Sequence, residues 1–113
     1  MTRYEDMILE LTRLFRPPKR ILHSLVFLAL QDHEIDINEW KIGVLGVYSD
    51  KVENTIKKLI ETGKIKVCED DTLTTDKCVK KKWDVSWIVR RATDRFLLLY
   101  TIRHTPHTMW IAG

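Results

Sequence analysis

Glutamine and asparagine are nearly missing from this 113-residue chain: Gln31, Asn38 and Asn54 are the only three. Thermolabile amides are depleted in proteins from hot environments, so the scarcity points to a thermophilic source. Long hydrophobic runs are missing as well. The stretch Leu25 to Leu30 is far too short to span a bilayer, which excludes a membrane-spanning helix. Glu5 and Asp6 stand where a signal peptide would need uncharged apolar residues, so an intracellular, cytoplasmic protein is expected. Catalytic motifs are lacking too. There is no Gly-rich phosphate loop, no nucleophile motif and no H-E-x-x-H, and no enzyme activity is expected. Cysteine is down to Cys68 and Cys78. Their spacing does not match zinc ligand pairs, which sit about two to four residues apart, so His104 and His107 complete no metal site. No cofactor is implied.

What is present is enough for one compact domain, with 44% hydrophobic and 31% charged residues. The net charge of +3 is unevenly spread. Residues 1–30 sum to +2, residues 31–76 to −5 and residues 77–113 to +6. A basic last third points to a polyanionic partner, although a pI of 8.9 is also ordinary for a small intracellular protein.

Hydrophobic spacing predicts a helix from about Arg3 to Phe15, with Thr2 and Glu5 as its capping box. Such a helix either docks a partner or covers the domain's own core. Pro17-Pro18 ends it. A second helix is expected over Pro18 to Gln31, apolar nearly all round and therefore central, with His23 packed in it. Asp36 and Glu39 read as the capping box of a short helix, Ile37 to Leu45, with Glu34 to Ile37 a short strand as the alternative. Gly46 suits the left-handed cap after that helix. Ser49 then opens a helix in which Val52, Ile56, Leu59 and Ile60 share a face, ending at Gly63. Lys64 to Cys68 alternates like a half-buried strand. Glu69 to Lys77 reads as a polar loop and Cys78 to Trp83 as a returning strand, with Val79 and Trp83 candidates for burial. Asp84 caps a last helix running to about Leu98 before an extended tail. A strand over Phe96 to Ile102 fits the same apolar run.

Helix, short helix, turn, helix and hairpin is the order of a winged helix domain. The stretch LGVYSDKVENTIKKLIETGKI, Leu45 to Ile65, resembles the turn and recognition helix of that family. The fold expected is therefore α+β: a winged helix-turn-helix with a three-helix core over residues 18–83, a two-stranded wing, and additional helices at both ends. Small size and thermophile-like composition look like archaeal or archaeal-virus transcriptional regulators.

The resemblance implies that the helix Ser49 to Thr62 enters the major groove of double-stranded DNA. Tyr48, Ser49, Lys51, Asn54, Thr55 and Lys58 are then placed to reach bases or phosphates. Lys77, Lys80, Lys81 and Lys82 on the returning strand are further phosphate contacts, or else the solvated lysines of an edge strand. Asp50 and Glu53 suit the helix dipole but repel phosphate, and the wing tip from Glu69 to Asp76 is acidic too. An adaptor that meets only protein is the competing reading. Terminal helices 3–15 and 84–98, together with Trp83, Trp87 and Trp110, supply apolar surface for a homodimer. Cys68 and Cys78 are equidistant from Leu73 and face each other across the expected wing. A disulfide or two reduced thiols fits that register.

Overall fold

A computed structural model describes residues 3–80, 83 and 86–104. The first helix, α1 (Arg3–Phe15), has the bounds its spacing predicts. It ends where Arg16 takes a left-handed φ of 45° ahead of Pro17. Its Ile8 and Thr12 are fully buried. Helix α2 (Lys19–Ala29) buries Ile21, Leu22, His23, Ser24, Val26 and Phe27, as a helix apolar nearly all round must.

The expected short helix Ile37 to Leu45 does not form. The alternative strand over Glu34 to Ile37 does not form either. After single 3-10 turns at Asp32–Glu34 and Ile37–Glu39, the chain makes an antiparallel hairpin of β1 (Lys41–Gly43) and β2 (Gly46–Tyr48). Asp36 does cap a turn, its carboxylate accepting from the Asn38 N–H at 3.0 Å. One turn uses that cap fully. Trp40 and Val47 are then buried by extended backbone, and Trp40 meets Phe27 edge-on at 4.8 Å. Gly46 has the positive φ expected of it, +105°, but uses it to leave the two-residue hairpin loop Val44–Leu45.

Helix α3 (Asp50–Glu61) follows, with Ser49 as N-cap and Val52, Ile56 and Leu59 buried. Gly63, at φ +79°, turns the chain out of it. The second hairpin is tighter than expected. Its strands are β3 (Lys66–Val67) and β4 (Leu73–Thr74), so Glu69 to Lys77 is not one loop and Cys78 to Trp83 is not the returning strand. Asp70 causes this. Its carboxylate accepts from both the N–H and the hydroxyl of Thr72, and Asp71 takes a φ of +66°, which reverses the chain within a few residues. Leu73 is then fully buried and donates its N–H to the Pro17 carbonyl at 2.8 Å. Pro18 bridges Thr72, so the extended Pro17–Pro18 segment lies beside this hairpin.

Cys68 stands opposite Thr72 rather than Cys78, yet the two cysteines form a disulfide with Cα atoms 5.8 Å apart. Val79 is half exposed rather than buried, while Trp83 is half-buried and donates its indole N–H to the Arg16 carbonyl. Helix α4 (Ser86–His104) continues past Leu98, so no tail or strand begins there. Phe96 packs on Phe27 and stacks on Tyr100, which favours helix over a strand with no ladder to join. Ile8, Phe27, Trp40, Val47, Ile56, Leu73, Ala92 and Phe96 belong to one core, so the two terminal helices are part of the domain's interior. The class is α+β, with four helices and two small antiparallel hairpins among the described residues. No helix of those residues is long and apolar enough to cross a membrane.

Candidate nucleic-acid interface

Helix α3 begins where three segments meet. Ser49 is fully buried, its hydroxyl accepting from the Val52 N–H at 3.5 Å. Its own N–H donates to His23 Nδ1 at 3.2 Å. With Nδ1 accepting, the His23 proton sits on Nε2, 3.0 Å from a Glu53 carboxylate oxygen. The other Glu53 oxygen holds the Lys19 ammonium. Burial is the largest influence on His23 and lowers its pKa, against the opposing pull of Glu53. Burial would raise Glu53, but Lys19 and His23 together hold it below the usual carboxylate value.

The acidic first turn is therefore matched by bases from elsewhere in the chain. Glu53 turns inward to Lys19 and His23, and Asp50 is 3.2 Å from the Lys41 ammonium on β1. Lys41 also lies 5.8 Å above the Tyr48 ring, whose edge meets His23. The outer face of α3 carries Lys51, Asn54, Lys57, Lys58 and Glu61, all exposed. Lys51 pairs with Glu39 at 2.6 Å and Lys58 with Glu5 at 2.8 Å, yet about two thirds of each lysine side chain stays in solvent. The Lys51–Glu39 pair is open enough to solvent to add little to stability, so that ammonium can exchange onto another anion, whereas Lys58 compensates a buried carboxylate. Glu5 itself is buried, and Lys58 holds its carboxyl below the usual range.

Of the residues named from sequence, Lys51, Asn54 and Lys58 share this face, Thr55 is half-buried at its flank, and Tyr48 precedes the helix cap. The Thr55 hydroxyl already donates to the Lys51 carbonyl, the ordinary use of a helical threonine. Ser49 is a correction: it is enclosed by the cap and by His23 and presents nothing outward. Lys77 and Lys80 are exposed beyond the second hairpin, while Lys81 and Lys82 lie outside the described residues. Sequence reasoning left out Lys19, Arg20 and Lys41. No spacing rule links them to α3, although Lys19-Arg20 directly after two prolines marks a basic helix start.

Beside this face lies a cleft of about 890 Å3 between the two hairpins, floored by Lys19, His23 and Glu53. Lys19 and His23 both pair with Glu53 on its floor. No group of metal-ligating side chains occurs among the described residues. Comparison with known proteins finds no matching family model, no similar curated protein and no similar solved structure.

Proposed function

We propose that this chain is a winged-helix regulator of transcription that binds double-stranded DNA, with α3 as the element entering the major groove. One observation carries the reading. The outer face of α3 holds three solvent-exposed lysines and Asn54, while Glu53, one of its two first-turn carboxylates, is turned inward onto Lys19 and His23. Positive charge on a protruding helix face attracts phosphate, and an asparagine there has the donor–acceptor pair that reads adenine. Helix α3 followed by a hairpin supports the winged-helix assignment, with α1 taking the place of the third helix, which the described residues of 18–83 lack. The β1–β2 hairpin between α2 and α3 departs from it, since a short helix and tight turn belong there. The protein acts as a homodimer, so that two copies of α3 meet two half-sites.

A mobility-shift assay on random duplex pools across a salt series tests this. Lys51→Ala with Asn54→Ala relaxes sequence preference. Lys57→Ala with Lys58→Ala lowers affinity on all sequences and flattens the salt slope by about 0.9 for each phosphate no longer neutralised. No retention on duplex DNA at low salt sinks the reading. It would favour the adaptor alternative, for which the apolar tip of the first hairpin is the specific support: Val44 is fully exposed, with Ile42 and Leu45 about half exposed beside it.

A further inference from the structure

Helix α4 buries Ile88, Ala92 and Phe96 against the core and turns another face outward. Trp87, Arg91, Asp94 and Leu98 follow one another at steps of four, three and four residues, so they stack along that outward face. All four are exposed, Trp87 by 56% and Leu98 by 59%. Arg91 and Asp94 make no ion pair with each other or with any other described residue, although opposite charges three apart on a helix often do. Ile102, half exposed and one turn beyond Leu98, extends the same face.

The order of this face is self-complementary. Turned end for end, Trp–Arg–Asp–Leu reads Leu–Asp–Arg–Trp, with the same spacings of four, three and four. An antiparallel second copy therefore sets Trp87 against Leu98, Arg91 against Asp94, Asp94 against Arg91 and Leu98 against Trp87. Two apolar contacts flank two ion pairs, related by a twofold axis. A two-fold interface has this property: if residue i meets residue j, then j meets i.

We propose that the outward face of α4 is the homodimer interface, with a second copy of this chain as its occupant in an antiparallel α4–α4 pairing. This deepens the dimeric part of the proposed function, and its readout is mass in solution, independent of DNA binding. The experiment is sedimentation equilibrium of the full chain and three variants, each checked for helicity by circular dichroism. Wild type sediments as a dimer. Arg91→Asp sets two aspartates against each other and Asp94→Arg sets two arginines against each other. Each weakens association by about tenfold or more at low salt. The double variant Arg91→Asp/Asp94→Arg restores the dimer, because the exchanged charges face each other again. A wild type still monomeric at about 100 μM overturns the proposal. So does a dimer indifferent to either single change, or one the double variant fails to restore.

Discussion

His23 joins α2 to the start of α3 through two ring nitrogens, one accepting from the Ser49 N–H and one facing Glu53. Protonating Nδ1 removes the acceptor and puts a donor against a donor, at a helix start whose dipole already disfavours a cation. The folded state therefore holds His23 neutral, with its pKa below the ordinary 6.5. The unfolded chain binds the extra proton more readily, so stability rises with pH in this range. The contribution of His23 is fully present above about 6.5 and is lost as pH falls through the lower folded value. Urea unfolding from about pH 7.5 down to about pH 5 is expected to show this loss, and His23→Gln, which can still accept and donate, is expected to flatten it. The carboxylates Glu53, Asp70 and Asp76, held low by hydrogen bonds and bases, add a separate loss at more acid pH. An unchanged midpoint across that range contradicts the assignment of the tautomer. Ser49 as the start of α3 was legible from its residue type and position. That its hydroxyl and N–H are both consumed at the cap was not, because His23 comes to it from 26 residues away.

The hairpins are elements whose geometry rests on a few small residues. A Cβ at Gly46 would meet Val89 at 3.0 Å, in a backbone conformation already unfavourable to side chains, whereas nothing lies within 4 Å of one at Gly63. Gly63→Ala is expected to cost about 1 kcal/mol, the strain of a left-handed alanine. Gly46→Ala should cost about 2–4 kcal/mol, because steric conflict with α4 adds to the strain. Paired denaturant melts decide this, and equal losses contradict the contact between the first hairpin and α4. Replacing both Cys68 and Cys78 by Ser opens a loop of sequence separation 10. A loss of about 2–3 kcal/mol is expected, by the same measurement under oxidising conditions. Helices α1 and α3 were legible because four-residue spacing and caps are local properties. The first hairpin was not. Asp36 and Glu39 mark a helical start equally well for one turn or three, and only the burial of Trp40 and Val47 against α2 and α4 selects one. The returning strand of the second hairpin comes earlier than the polar run suggests, since the Asp70–Thr72 turn is shorter than that run.

Taken as one molecule, the chain is held by a single core that both terminal helices enter. Phe96→Ala is expected to cost about 3–5 kcal/mol and to lower the whole unfolding transition, not melt α4 alone. Coincident fluorescence and circular dichroism transitions check it, and a separate early loss of helicity contradicts it. At this scale charge is distributed by folding as much as by composition. The basic last third was legible by counting, yet the candidate interface draws on Lys19 and Lys41 from earlier segments. The periodicity of α1, α2 and α3, the cap at Ser49 and the turn at Gly63 were determined by the sequence itself, because each depends on residues within about one helical turn. The pairings Lys19–Glu53, Lys41–Asp50 and Lys58–Glu5, the disulfide, and the outward face of α4 were decided only by the tertiary structure. They join segments whose separation along the chain has no bearing on their distance until the shared core brings the helices together.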